Sequence, residues 1–138
     1  DRGDVLYSSV HVDPGAGWYP HFVGYADEVG EGAGAGATLN VPMPAGADDD
    51  QWLAGLATIA AAVRAHGSEA LVVSLGVDAE ADDPNSPLQI TAAGFREAGR
   101  MLGELRMPTV FVQEGGYNLG HFATLVCEVL HGFEERHG

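Results

Sequence analysis

Lysine is absent from this 138-residue sequence, and its positive charge rests on six arginines: Arg2, Arg64, Arg96, Arg100, Arg106 and Arg136. Against 20 acidic residues they leave a formal net charge of −14. Such a surface repels phosphate backbones and anionic lipid, so nucleic-acid and membrane binding are set aside. It attracts cations such as polyamines or basic peptides, although acidic solubility is the simpler explanation. Cysteine occurs once, as Cys127, so no internal disulfide can form. That residue falls in an apolar helical pattern and reads as a buried thiol in a reducing compartment, which points to the cytoplasm. No apolar run approaches the roughly 18 residues of a membrane span, and no signal peptide opens the chain. There is no Cys-x-x-Cys pair and no G-x-S-x-G elbow. The glycine-rich stretch 30–36 (GEGAGAG) precedes a strand and lacks lysine, which excludes a phosphate-binding loop.

What is present is a globular composition, 46% apolar, with no repeat and no linker. Residues 5–10 (VLYSSV) read as a strand, and residues 13–37 as a long loop around the aromatic cluster Trp18, Tyr19 and Phe22. A second strand covers residues 38–43, with Pro42 indicating a sheet edge. Asp48, Asp49 and Asp50 open a helix carrying Trp52, Leu56 and Val63, and Gly67 ends it. Residues 70–75 (ALVVSL) predict a strand buried on both faces. Thr91 caps a second helix, Pro108 introduces a strand over residues 109–113, and a last helix spans about residues 119–135. This order predicts a single α/β domain over residues 1–138. It has a mostly parallel sheet of about four strands, flanked by three main helices. The chain opens at Asp1 and enters a strand-like run within five residues, as though mid-domain.

Ligands of open α/β sheets bind beyond the carboxyl ends of the strands. Three such ends carry polar groups: His11 and Asp13, then Asp78, then Glu114 to Tyr117 across Gly115 and Gly116. Asp78 suits a metal-binding carboxylate or a loop cap. Tyr117 suits a packed aromatic or a phenol presented to substrate by a tight glycine turn. His11, Asp13 and Asp78 can be assembled into a three-ligand zinc set, although a His and an Asp two apart are common by chance.

Five blocks then occur in order: SSVHVDP at 8–14, WYPHFVGYADEVGEGAGAG at 18–36, NVPMPAG at 40–46, VVSLGVDAEADDP at 72–84 and QEGGYNL at 113–119. Together they resemble the second half of the histone deacetylase superfamily, and most of all its bacterial acetylpolyamine amidohydrolase members. The resemblance implies the arginase/deacetylase α/β fold and zinc-dependent hydrolysis of an N-acetyl amide, with metal polarising the carbonyl and activating water. It gives Asp78 as one zinc ligand and Tyr117 as the hydrogen-bond donor to the tetrahedral oxyanion. Tyr19, with Gly115 and Gly116, falls along the substrate channel. Ser9 and Val10 fall where the family holds potassium, through a hydroxyl and a carbonyl oxygen. His11 matches a histidine that is not a zinc ligand, which argues against the triad above.

The family's D-x-H and tandem His-His motifs occur nowhere in this sequence. The resemblance therefore implies an incomplete site, inactive alone, with little or no firmly bound zinc. The alternative is a non-catalytic binding or assembly module that keeps the fold. In the family the D-x-H strand separates this chain's first strand from its third. The gap is thus expected either to close by direct strand pairing or to drive homodimerisation through an exposed edge or apolar surface. A small cationic acetylated substrate is expected for the completed enzyme.

Overall fold

The computed structural model describes residues 2–138; the expectation drawn from Asp1 lies outside them. Strands β1 (Tyr7–Val12) and β2 (Thr38–Met43) pair in parallel, with Tyr7 opposite Thr38 and Val12 opposite Met43. Helix α1 (Asp49–His66) follows, and β3 (Leu71–Leu75) then pairs in parallel with β4 (Thr109–Gln113) across the crossover helix α2 (Ala92–Gly103). Helix α3 (Phe122–His137) closes the order. The α/β class, the parallel pairing, the four strands and the three helices agree with the sequence reading. The long loop holds only two single 3-10 turns, Pro14–Ala16 and Gly32–Gly34.

Helix boundaries follow from local chemistry. Asp48 accepts from the Gln51 amide while Gln51 reaches back to the Asp48 amide, a reciprocal cap that satisfies two otherwise orphaned donors. Gly67 ends α1 in the left-handed conformation at φ 74°. Thr91 Oγ1 accepts from the Gly94 amide and donates to Asp49, so the start of α2 is tied to the first turn of α1. The first strand begins two residues later than residue 5 and runs to Val12, because its ladder with β2 extends past the polar His11.

The two sheets are not joined to each other: β1 pairs only with β2, and β3 only with β4. Direct strand pairing therefore does not close the gap. A shared core connects the halves instead. Val12 and Met43 of the first sheet meet Trp52 and Leu56 of α1, Leu75 of β3, Phe95 of α2 and Leu125 and Val129 of α3. Trp52 and Phe95 meet edge to face at 5.4 Å, joining α1 to α2. Full burial of a side chain such as Phe95, 1% exposed, contributes about 1.5–3 kcal/mol.

Two sequence expectations are corrected. Residues 70–75 are not buried on both faces: Val72 is 71% exposed and Ser74 is also exposed. Helices cover one side of β3–β4, as in the Phe111–Phe133 contact at 5.0 Å. The other side leaves Val72, Val110 and Val112 in the open. Cys127 is exposed rather than buried, because α3 turns Leu125 and Val129 inward and Cys127 outward. No helix among the described residues is long and apolar enough to cross a membrane.

Candidate functional site

An open trough of about 1100 Å³ runs between the two sheets. One bank is β1, with Ser9, Val10 and His11; the other is the exit of β3 and β4, with Gly76, Asp78, Gly115 and Tyr117. Tyr19 lines it from the long loop, and Trp52 from α1. The volume lies at or beyond the upper end of ordinary small-molecule pockets, so the trough is wider than a fitted site.

Hydrogen bonding between the second pair of strands continues past their ends. The Glu114 amide donates to Leu75 and the Val77 amide to Gly115, both at 3.0 Å. This extension sets Asp78 beside the Gly115 turn. A Cβ at Gly76 would lie 2.8 Å from Asp78 Oδ1, and one at Gly115 would lie 2.7 Å from Oδ2. The two glycines thus form a cradle for the carboxylate that any side chain would fill. Burial raises the Asp78 pKa above 3.8, its own backbone amide opposes the shift, and the charge of Asp83 adds to it. Gly116 sits at φ 139°, where a Cβ would strike Val77 and Phe122. Tyr117 leaves this turn 53% exposed, not packed into the core.

On the opposite bank, His11 Nδ1 lies 2.7 Å from Ser9 Oγ and Nε2 lies 2.9 Å from the Gly24 carbonyl. Nε2 donates to that carbonyl, so in the neutral ring Nδ1 accepts from the Ser9 hydroxyl. Both nitrogens are engaged. Asp13 caps its own turn by accepting from the Gly15 amide at 2.7 Å. His11, Asp13 and Asp78 are therefore not assembled as a zinc set. His11 instead pins the long loop to β1. Asn40, buried, does the same from β2 by donating to the Tyr25 carbonyl at 3.1 Å. Neither tie is legible in the sequence, because each spans more than ten residues of largely irregular chain.

The donor chemistry fits one zinc ligand, not a zinc site. Catalytic zinc takes three protein ligands. Among the described residues, Glu80, Asp82 and His121 are the one group of three such side chains with donor atoms within 4.8 Å of one another, and Asp78 is not among them. In that group Glu80 is already bonded to Asn118 Nδ2 at 3.2 Å and His121 Nδ1 at 2.8 Å. Ser9, whose hydroxyl is paired with His11, and Val10 line the opposite bank. Tyr19 is 80% exposed at the trough rim.

Sequence reasoning also missed Glu80 and Asp83, each 6% exposed. Both belong to the acidic run after Asp78, which reads as solvated loop until the partners across the chain are known.

Comparison with known proteins finds relatives in both sequence and fold. The chain is 41% identical over 137 residues to acetylpolyamine amidohydrolase 2 of Pseudomonas aeruginosa, covering 99% of this chain and 40% of that protein. It is 42% identical over 132 residues to the acetylpolyamine amidohydrolase of Mycoplana ramosa, covering 96% and 38%. The crystal structure of the acetylpolyamine aminohydrolase from Burkholderia pseudomallei superposes with a TM-score of 0.95 at 39% identity, over 99% of this chain and 40% of that one. The chain thus spans about 40% of the length of these relatives. The histone deacetylase domain profile matches residues 1–133, and the chain belongs to the histone deacetylase domain family.

Proposed function

We propose that this chain supplies the oxyanion-binding phenol, Tyr117, and one zinc-binding carboxylate, Asp78, of an amidohydrolase that removes acetyl groups from cationic N-acetyl substrates. These are acetylpolyamines or acetyl-lysine. The reading rests on one observation: neighbouring strand ends bring Asp78 and Tyr117 to the same trough. A phenol aimed at the developing oxyanion contributes about 3–4 kcal/mol in comparable sites. Tyr19, Gly115 and Gly116 form the channel for the acyl chain, and Ser9 and Val10 hold potassium. Zinc, when bound, supplies Lewis acidity, and its remaining ligands come from outside these residues. Alone, the chain therefore turns over no substrate. A cytoplasmic setting rests on the single cysteine.

The test is acetate release from an acetylated diamine and an acetyl-lysine peptide, with zinc added. The chain is assayed by itself and co-expressed with a D-x-H- and His-His-bearing segment of a relative. Activity is expected only in the complemented form, falling about 100-fold or more in Tyr117→Phe. Zinc-dependent release by the chain alone, abolished by Tyr117→Phe, overturns the incompleteness. A fully active Tyr117→Phe complement overturns the role of the phenol.

The uncovered valines of β3 and β4 favour a second reading, an assembly module that self-associates as a homodimer. Parallel sheets are ordinarily covered on both faces, and here one face of β3–β4 is bare. A monodisperse monomer in light scattering at high concentration counts against it.

A further inference from the structure

We propose that Asp83 is a positioning residue that fixes Tyr117 through its backbone; the inference rests on the reading of Tyr117 given above. Among the described residues no hydrogen bond reaches the Tyr117 hydroxyl, its ring is half exposed, and two glycines precede it. Its amide, by contrast, donates to Asp83 Oδ2 at 2.7 Å, and the Asn118 amide donates to the same oxygen at 3.3 Å. These contacts span 34 and 35 residues of sequence.

Asp83 is itself held in place. Its Oδ1 accepts from the Asn85 amide at 2.8 Å, and its own amide donates to the Glu80 carbonyl at 3.0 Å. Loop capping alone accounts for the Asn85 contact and not for the two long-range ones. Glu80 adds a second grip one turn earlier, through Asn118 Nδ2 and His121 Nδ1. The segment that leaves Asp78 therefore returns within five residues to clamp the segment that carries Tyr117. The backbone segments that carry the carboxylate and the phenol are thereby tied to each other, which limits how far the glycine turn lets them drift apart. Displacement of a reacting group by about 1 Å costs on the order of 100-fold in rate, which is the scale on which such a clamp acts.

The test uses this chain and needs no turnover. Amide hydrogen exchange and Tyr117 ring resonances are recorded by NMR for wild type, Asp83→Ala and Asp83→Asn. In Asp83→Ala the Tyr117 and Asn118 amides are expected to exchange about tenfold faster or more, while Val73 and Val112, paired across β3 and β4, keep their protection. The ring resonances move toward free tyrosine. Asp83→Asn keeps an amide oxygen for the two long-range donors and restores part of both signals. Unchanged exchange at Tyr117 and Asn118 overturns the proposal. If Asp83→Ala loses protection everywhere, Asp83→Asn decides: local loss at the two amides supports the clamp, and its absence overturns it. A failed oxyanion role appears separately, as a Tyr117→Phe complement that stays active.

Discussion

Replacing Gly132 with alanine sets helix propensity against packing. In an isolated helix the change stabilises by about 0.8–1 kcal/mol. Here the new methyl would collide with the Arg96 carbonyl of α2 and stand 3.1 Å from the Arg100 amide. Gly99 meets the Val129 carbonyl in the same way, and Gly103 meets that of Phe133, so the two helices interlock backbone to backbone. Backbone cannot swing aside as a side chain can, so the overpacking cost of about 1–3 kcal/mol falls toward its upper end. Subtracting the propensity gain leaves Gly132→Ala less stable by about 1–2 kcal/mol. Each kcal/mol shifts the midpoint of a chain this size by about 3–5 °C. The surface pairs of Arg96 with Glu128 and Glu135, and of Arg100 with Glu135, add little resistance to separation. Gly55→Ala is the control. Its added Cβ would meet only side-chain atoms, the end of the flexible Met43 at 2.9 Å and the Val41 and Val10 methyls at 3.2 and 3.3 Å, so the loss should be smaller than for Gly132→Ala. Urea and thermal unfolding followed by circular dichroism report both variants. A Gly132→Ala midpoint at or above wild type would refute the interlocked-backbone argument.

Two further outcomes concern charge. Burial lifts the Asp78 pKa, so the folded chain binds that proton more tightly than the unfolded chain. The associated stability is full in acid and lost as pH rises through the folded value. Asp78→Asn should therefore raise the urea midpoint at neutral pH and not in acid; no gain at neutral pH would contradict the burial argument. His121 is raised above 6.5, chiefly by its hydrogen bond to Glu80 and then by that carboxylate's charge. Its contribution is present below the unfolded value and fades as pH rises through the folded one. An NMR titration should place His121 above 6.5 and Glu80→Gln should lower it, whereas a wild-type midpoint at or below 6.5 rules the pairing out.

Local signals carried the element map well. Asp48, Thr91 and Gly67 terminate helices through contacts within a few residues, so their roles can be read from sequence. The boundaries of β2 and β4 followed likewise from adjoining turns and Pro108. Burial was less legible. The apolar run of β3 records a face suited to being covered, and the sequence does not say that no helix among the described residues covers it. Cys127 was misjudged because an apolar neighbourhood in sequence spreads around the whole circumference of a helix. At the site, Asp78 and Tyr117 stood out by their positions after strands. His11 stood out in the same way, but as a candidate ligand; its tie to Gly24 and the roles of Glu80 and Asp83 did not, because those partners lie 13 to 41 residues away.

The absence of a ladder between the two sheets has a mechanical side. Hydrogen-bonded strands would hold neighbouring edges about 4.7–4.9 Å apart, but nothing of that kind sets the spacing between Ser9 and Asp78. That width is set from below, by the shared core in which Trp52 of α1 meets Phe95 of α2. Whatever occupies the trough thus has Trp52 among its walls, and side-chain packing rather than a strand ladder determines how far apart those walls stand.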